Sequence, residues 1–337
     1  MRAFIVDRYG TGELRAGDVP EPEVGEHDVL VQVHAAGVNV LDAKIRKGEF
    51  KLVLPYRTPF VLGNDVAGVV VRAGARVRKF KPGDEVYARP DKDRIGTFAE
   101  FIAVGEDDLA IKPERLTMAE AASIPLVGLT AWQALVEIAE LRAGQKVFIQ
   151  AGSGGVGTFA IQLAKHLGAT VATTTSTANI ELVKRLGADV VIDYRTDDFE
   201  NVLRDYDVVL HSLDNKTLQK SLRVLKPGGK LISISGPPDP DFAKQLGKPW
   251  ILRPVMGALS HRIRKAARRR RVGYSFLFMR ANGAQLSQLT SLVDAATIKP
   301  VLDRVFPFDS TNEAMAYIET GRAKGKVVVQ LKPEELS

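Results

Sequence analysis

Cysteine is absent from the 337 residues of the chain. This absence excludes disulfide bonds, thiolate metal ligands and a cysteine nucleophile. No apolar run reaches the roughly 20 residues that a membrane-spanning helix needs, so we expect no membrane among the partners. The N-terminus enters strand-like sequence at once and meets Asp7 before a signal-peptide core could form, which predicts a cytoplasmic protein.

The chain has a net charge of +7. Its segment 261–271 contains seven Lys and Arg residues and no acidic residue. Three interpretations stay open for this basic run: a solvated helical face or mobile loop, a patch for nucleic acid or another anionic surface, and a contact to cofactor phosphate. The run has no interleaved aromatic residues of the kind that stack on single-stranded nucleic acid, so nucleic acid is the secondary hypothesis.

The overall composition is that of an ordinary globular protein, with 45% hydrophobic and 26% charged residues. The length exceeds the usual size of one domain and predicts two. The histidines show no metal-ligand spacing, and we expect core or surface roles for all of them: His27, His34, His166, His211 and His261.

The most informative stretch is the apolar strand 146–151 running into Gly152-Ser153-Gly154-Gly155-Val156-Gly157, followed by an amphipathic helix that stops at Gly168. The first glycine permits a tight turn, the second a close approach of the backbone to a diphosphate, and the third close packing of helix on strand. Free amide groups at the helix start then face the phosphates, which predicts a dinucleotide site.

Alternating strand-like and helix-like segments follow this motif as far as residue 235, and this alternation predicts a doubly wound parallel sheet. The first third differs, since short alternating segments between Gly and Pro turns, at 29–35, 65–71 and 97–104, indicate a β-rich domain. Helices are expected at 118–123, 131–139, 285–296 and 312–320, and a closing strand at 325–331.

Several further segments resemble the medium-chain dehydrogenase/reductase superfamily, in its zinc-independent quinone oxidoreductase and enone reductase branch. The matching pieces are residues 36–39 with Asp42 and Lys44, 63–70, 80–87, 121–125 with 129–131, the glycine loop, 186–189 with 192–194, and 325–329. The resemblance spans nearly the whole chain, with insertions around 237–275. It implies an α/β fold: a GroES-like β-rich catalytic domain (1–122), a Rossmann-type doubly wound parallel sheet domain for NADP (123–280), and a C-terminal segment (281–337) that returns to the first domain.

Catalytic zinc is not expected, because such a site needs about three nitrogen, sulfur or carboxylate ligands. By resemblance, Asn39 and Asn64 stand at or near places where the zinc alcohol dehydrogenases carry a cysteine and a histidine. Neutral amides bind zinc poorly compared with thiolate or imidazole. Without a metal, hydride delivery to a quinone or to the C=C bond of an α,β-unsaturated carbonyl is easier than alcohol oxidation, since conjugation spreads the developing charge onto the carbonyl oxygen.

Three catalytic residues are candidates. The resemblance implies that Asn39 and Lys44 lie near the nicotinamide, with Asp42 orienting the loop, and Tyr56 is a candidate hydroxyl donor to the substrate. A structural role stands beside each: Asn39 as a helix cap, Lys44 as a solvated helix residue, Tyr56 as a packing residue. Water could supply the proton that completes the reaction.

NADPH is the expected cofactor, because the strand that would carry an acid for the ribose of NAD ends instead in Thr175-Ser176. A carboxylate there would repel a 2′-phosphate, whereas hydroxyl groups can donate to it. Relatives often carry lysine where this chain has Asn179, and Lys184, Arg195 or the basic run could replace that charge. The expected cofactor-binding residues are Thr130, Gly152, Ser153, Gly154, Gly155, Val156, Gly157, Thr175, Ser176, Tyr194, Leu213, Ser235 and Lys326.

The leading hypothesis is therefore an NADPH-dependent, zinc-independent reductase of quinones or enones. Two alternatives stay open: a nucleic-acid-associated protein that uses residues 261–271, and a catalytically silent NADPH sensor. The apolar, β-prone segment 272–279 favours a homodimer through a sheet edge.

Overall fold

The structure is a computed structural model that describes residues 1–51, 54–247 and 249–333. The chain divides into two compact units, which we call unit 1 (Met1–Leu129 with Arg280–Ser337) and unit 2 (Thr130–Met279). The units divide after residues 129 and 279, whereas the sequence predicts domain limits after 122 and 280. The function of each domain stays a prediction.

Unit 1 is rich in antiparallel strands. Its strands are β1 Arg2–Val6, β2 Arg15–Asp18, β3 Asp28–Val38, β4 Phe60–Val61, β5 Val66–Ala73, β6 Glu85–Ala88, β7 Phe101–Gly105, β8 Leu109–Ile111, β15 Leu302–Pro307 and β16 Lys326–Gln330. Among the described residues they form a sheet of order β15-β16-β3-β5-β6-β8, with β7 also on β3, and a smaller sheet β2-β1-β4. The strand expected at 97–104 begins only at Phe101, and before it Ala99 forms an isolated bridge with Ala3.

The helices of unit 1 flank this sheet. They are α1 Val40–Lys47, α2 Met118–Ala122, α11 Gly283–Asp294 and α12 Thr311–Glu319, and α3 Pro125–Trp132 begins in the same unit. The helix expected at 131–139 is in fact the end of α3 followed by a π-helix, Gln133–Ile138. The unit 1 core is built from buried aliphatic side chains of β3, β5 and β16, such as Val31, Val66 and Val329.

Unit 2 contains a six-stranded parallel sheet among the described residues. Its strands are β9 Lys146–Ile149, β10 Thr170–Thr175, β11 Val190–Asp193, β12 Tyr206–His211, β13 Leu225–Ser233 and β14 Gly273–Phe276. The order β11-β10-β9-β12-β13-β14, with every pairing parallel, is that of the Rossmann sheet. Every residue of β12 is buried, as expected for a central strand covered on both faces.

The helices of unit 2 connect these strands. They are α4 Gly155–His166, α5 Ile180–Arg185, α6 Phe199–Val202, α7 Asn215–Val224, α8 Phe242–Gln245, α9 Pro249–Leu259 and α10 His261–Arg269. Helices α8, α9 and α10 make up the insertion that the sequence placed at 237–275. No helix in the described part of the chain combines the length and apolar character needed to cross a membrane.

Candidate active site

The glycine loop leads from β9 into α4. Strand β9 lies between β10 and β12, the point where the strand order reverses and where open parallel sheets bind ligands. The helix begins with Gly154 at its N-cap, and the first intrahelical bond runs from the Thr158 amide to the Gly154 carbonyl at 2.9 Å. The amides of Gly155, Val156 and Gly157 therefore have no acceptor within the helix and can bind an anion.

At two positions of this loop the neighbouring atoms lie so close that only glycine fits. A Cβ on Gly152 would lie 2.1 Å from the Thr173 hydroxyl, and a Cβ on Gly157 would lie 2.3 Å from the Ala151 carbonyl. The loop thus packs against β10 and against its own first turn without room for a methyl group. This backbone approach is what the motif predicts for a diphosphate grip, so the loop fits the cofactor.

A polar cluster lies where β10 ends. The Thr175 hydroxyl donates to the Ser153 oxygen at 3.0 Å, and the Asn179 amide donates to the Ser153 and Ser176 hydroxyl oxygens at 3.3 and 3.2 Å. Thr175 is buried, so its hydroxyl orients Ser153, whereas Ser153 and Ser176 stay partly accessible. Asn179 therefore joins the glycine loop to this strand end.

Two cations flank the polar cluster in sequence. Lys184 pairs with Glu181 at 3.1 Å, whereas Arg195 has an exposed side chain without an ion pair among the described residues. Tyr194, also exposed, precedes it. The Asp193 carboxylate accepts a hydrogen bond from the Thr177 hydroxyl and another, at 3.0 Å, from the backbone amide of Arg195. These hydrogen bonds lower the pKa of the Asp193 carboxyl. Of these two cations, Arg195 is the one without an ion pair in the described part of the chain.

Leu213 and Ser235 are brought together at the ends of β12 and β13. The Ser235 hydroxyl donates to the Leu213 carbonyl at 2.6 Å. Below them, the buried His211 donates through Nε2 to the Asp214 carbonyl at 3.0 Å, since a carbonyl only accepts, and its Nδ1 accepts from the Ser233 hydroxyl at 2.8 Å. His211 is fully buried, and burial lowers its pKa to about 4. Thr130, the remaining predicted contact of unit 2, is buried in α3.

In unit 1, a buried cluster joins Asn39 to residues distant in sequence. The Asn39 amide nitrogen donates to Asp65 Oδ2 at 2.9 Å, and its oxygen accepts from Lys326 Nζ. Lys326 also pairs with Asp65 Oδ2 at 3.1 Å and is only 4% exposed. The strand register explains the meeting, because Val327 of β16 pairs with Val38 of β3, immediately before Asn39. Lys326, expected from the sequence as a cofactor-binding residue, is thus buried in unit 1.

Asp42 and Asn64 extend this cluster. Asp42 Oδ2 accepts a hydrogen bond from the backbone amide of Asn39 at 2.7 Å, and Asp42 Oδ1 accepts one from the side-chain amide of Asn64 at 2.7 Å. Asp42 and Asn64 are fully buried. Burial raises the pKa of Asp42 to about 7, against the effect of these hydrogen bonds and with a contribution from nearby Asp65. The expectation that Asp42 orients the loop agrees with its bond to Asn39, which holds the start of α1.

Lys44 and Tyr56 form no hydrogen bond to this cluster among the described residues. Lys44 is partly buried on α1, and the described residues provide no hydrogen bond or ion pair to its side chain. The Tyr56 hydroxyl donates to the Lys92 carbonyl at 2.5 Å, while its ring packs 5.1 Å from that of Phe60. Burial raises the pKa of the Tyr56 phenol. The predicted donation from Tyr56 to a substrate would require it to leave Lys92.

The described residues contain no group of three or more His, Cys, Asp and Glu side chains that could hold a metal ion. Asn39 and Asn64, at or near the expected zinc positions, instead use their amide groups on Asp65 and Asp42. The donor set of this cluster therefore matches an internal ion pair better than a zinc centre.

Sequence reasoning missed Asp65 as a site residue. Its Oδ1 accepts the Leu126 amide at 2.7 Å and so caps α3, while its Oδ2 receives Asn39 and Lys326. The available signal was a carboxylate at the start of the apolar strand 66–70, because a buried acid in such a run needs partners.

Known families match both parts of this architecture. Residues 25–114 match the alcohol dehydrogenase GroES-like domain, and residues 186–329 match a family described as zinc-binding dehydrogenase. These matches and the sheet order confirm the predicted fold class, a GroES-like β-rich domain with a Rossmann-type parallel sheet.

Relatives that match nearly the whole of this chain identify its family more closely. The chain is 37% identical to the NADPH-dependent alkenal/one oxidoreductase of Arabidopsis thaliana, chloroplastic, over 98% of this chain and 79% of the relative. It is 36% identical to the 2-methylene-furan-3-one reductase of Solanum lycopersicum, over 99% and 80%. The quinone oxidoreductase structure from Coxiella burnetii superposes with a TM-score of 0.86 at 31% identity, over 98% and 99%. The chain belongs to the medium-chain dehydrogenase/reductase superfamily, in the group of quinone and alkenal oxidoreductases.

Proposed function

We propose that this protein is an NADPH-dependent reductase of quinones or α,β-unsaturated carbonyls and that it works without zinc. The observation that carries the cofactor assignment is the end of β10, where residues 173–179 include no acid and Ser153, Ser176 and Asn179 are joined by hydrogen bonds beside the glycine loop. The carboxylate next to them, Asp193, accepts the Thr177 hydroxyl. The names of the relatives agree, since one is called NADPH-dependent and another a reductase of a methylene ketone.

The residues of unit 2 bind and orient the cofactor in this proposal. The free amides of Gly155, Val156 and Gly157 hold the diphosphate, and Ser176 with Arg195 holds the 2′-phosphate. Tyr194, Leu213, Ser235 and Thr130 complete the contacts that the resemblance implies. Bound NADPH supplies a hydride, which a conjugated acceptor takes up at the carbon β to its carbonyl.

The residues of unit 1 stabilise the acceptor. Asn39 and Lys44 are the proposed catalytic residues, with Tyr56 as a third candidate. Asn39 would have to exchange its bond to Asp65 for one to the acceptor, whereas the Lys44 side chain has no partner among the described residues. Lys326, proposed from the sequence as a cofactor contact, keeps the Asn39 amide in one orientation through its ammonium group. A hydrogen bond to the acceptor oxygen is sufficient assistance, because conjugation has already delocalised the charge.

The test is to incubate the purified protein with NADPH and a panel of enones and quinones, before and after treatment with a chelator. We expect the reduced-nicotinamide absorbance to fall with at least one acceptor and the chelator to leave the rate unchanged. Tight NADPH binding with no turnover of any acceptor would instead establish a silent sensor. An activity that disappears on chelation and returns with zinc would contradict the metal-free proposal.

Assembly and location remain proposals. Strand β14 lies at the edge of the parallel sheet with β13 as its neighbour among the described residues, which supports a homodimer through that edge. Light scattering that gives the monomer mass of 36.7 kDa would contradict the dimer. Cytoplasmic location also stays a proposal, since the Arabidopsis relative is named chloroplastic.

A further inference from the structure

The insertion helices of unit 2 combine exposed apolar and basic side chains. We infer that α9 and α10 form a docking surface for the anionic phospholipid surface of a membrane, which they contact without crossing it. We call the residues 249–271 the α9–α10 surface. The inference does not depend on which acceptor the protein reduces, and it departs from the expectation from the sequence that no membrane is a partner.

Helix α9 exposes an apolar stripe. Ile251, Val255 and Leu259 recur at intervals of four residues, so they share one helix face, and they are 48%, 52% and 58% exposed. Trp250 beside them is 82% exposed. Four of the eleven large hydrophobic side chains exposed in the described residues therefore lie within ten residues, a concentration that marks an interaction site.

Helix α10 places its positive charge next to this stripe. Ile263 and Ala267 anchor the helix in the unit 2 core, which leaves Arg262, Lys265 and Arg269 exposed on the other side. Only Ser260 separates the two helices, so Leu259, the last residue of the stripe, lies two residues before the first residue of α10. Within the described part of the chain, no carboxylate forms an ion pair with any basic residue of the run 261–271.

The charge of the whole segment selects an anionic partner. Residues 242–279 contain ten Lys and Arg residues and no acid. Such a segment repels another basic surface and attracts an anionic one. Basic residues beside Trp and aliphatic side chains are the pattern of helices that lie in the membrane interface, where the apolar side chains enter the acyl boundary and the cations meet headgroups.

A cavity between these elements adds a place for a headgroup. It is open to solvent, has a volume of about 530 Å³ and is lined by Trp250, Arg253 and Arg264, together with Asp239, Asp241, Pro240, Pro254 and Tyr274. Both carboxylates already have partners, since Asp239 accepts backbone amides, among them that of Phe276 at 2.9 Å, and Asp241 pairs with Lys244 at 3.0 Å. Arg253 and Arg264 form no ion pair in the described part of the chain, so their guanidinium groups can bind an anion.

Two other occupants fit the surface less well. Nucleic acid would use the arginines, but it offers nothing that covers the aliphatic stripe, and the basic run lacks stacking aromatics. A second copy of the chain would bring the same basic face against itself in a two-fold contact, which costs like-charge repulsion.

The experiment is vesicle sedimentation of the full-length protein. Vesicles of phosphatidylcholine alone are compared with vesicles that also contain phosphatidylserine. The wild type is expected to sediment with the anionic vesicles only. The variant R262Q/K265Q/R269Q keeps helix propensity and is expected to partition about a hundredfold more weakly. The control R115Q/R142Q/R322Q removes the same number of exposed charges elsewhere and is expected to bind like the wild type.

A second variant tests the apolar stripe. I251Q/V255Q/L259Q keeps every charge and is expected to lose binding by about tenfold or more, because it no longer buries apolar area. Emission from Trp250 reports on the same contact and needs no variant in the stripe: anionic vesicles should shift the wild-type emission to shorter wavelength, and W250F should abolish the shift.

Four results would overturn the inference. The first is failure of the wild type to sediment with anionic vesicles, and the second is an equal loss in the R115Q/R142Q/R322Q control. The third is tight binding of a DNA duplex that leaves I251Q/V255Q/L259Q unaffected while vesicles do not bind, which would identify a nucleic-acid surface. The fourth is a dimer that the same variant dissociates, which would identify a second copy as the occupant. NADPH turnover is measured in parallel on the same protein samples. Turnover tests the proposed function and vesicle binding tests the α9–α10 surface, so failure of one can be distinguished from failure of the other.

Discussion

Lys326 Nζ lies 3.1 Å from Asp65 Oδ2, and both side chains are buried although 261 residues separate them in the chain. The same carboxylate accepts Asn39, and the same ammonium donates to it, so the three side chains fix one another. We therefore regard Lys326 as the residue that orients Asn39.

Replacing Lys326 by Met is expected to lower the free energy of unfolding by about 3 kcal/mol, because Asp65 is left as a buried charge without its cation. Denaturant unfolding measures the change, with K324M, at an exposed lysine, as the matched control. The double variant D65N/K326M should lose less than the sum of the two single variants. Equal stability of K326M and K324M would refute the role of the pair.

Asp42 predicts a distinctive pH dependence. Its folded pKa is raised to about 7 from 3.8, so between about pH 4 and 7 the folded protein keeps a proton that the unfolded chain has lost. Unfolding then releases a proton, and the contribution of Asp42 to stability falls as the pH rises through this window. D42N cannot titrate there, so its stability relative to the wild type should rise with pH by a few kcal/mol. Unfolding curves across this range measure it, with E13Q as an exposed control; parallel profiles for D42N and wild type would contradict the assignment.

The position of Gly157 predicts that a larger residue there will weaken NADPH binding by the glycine loop. An added methyl group would lie 2.3 Å from the Ala151 carbonyl, so G157A must displace the first turn of α4. We expect the Kd for NADPH to rise at least about tenfold, since the free amides lose their alignment. G12A is the control, because a Cβ there meets nothing within 4 Å. Titration calorimetry measures both variants, and unchanged NADPH binding by G157A would show that the loop does not hold the diphosphate.

We expect the Arg195 side chain to provide the preference for NADPH over NADH. Loss of a charge-assisted contact to the 2′-phosphate costs about 1.5–3 kcal/mol, so R195Q should raise the KM for NADPH about tenfold or more and leave that for NADH unchanged. K184Q removes a neighbouring lysine that already pairs with Glu181 and should have little effect. Equal changes for both cofactors in R195Q would place the charge elsewhere.

The Rossmann half of the fold was predictable because its signals are local. The glycine loop, the alternation of strands and helices, and the acid-free end of β10 can each be located within a short window of sequence. The structure confirms the resulting α/β sheet, with the strand order expected of a dinucleotide-binding fold.

The unit 1 site was less predictable because its partners meet through long-range pairing. Asp65 and Lys326 come together only once β16 adds to β3 in one register, and no local pattern specifies that register. Tyr56 illustrates the same limit, since its hydroxyl reaches the Lys92 carbonyl through loop packing that composition does not encode.

The most direct test of the central claim uses NADPH deuterated at its transferable position, a simple enone and metal-depleted protein. Mass spectrometry and NMR of the product should find one deuterium on the carbon β to the carbonyl. A product without that label, or turnover that appears only after zinc is added, would contradict the account.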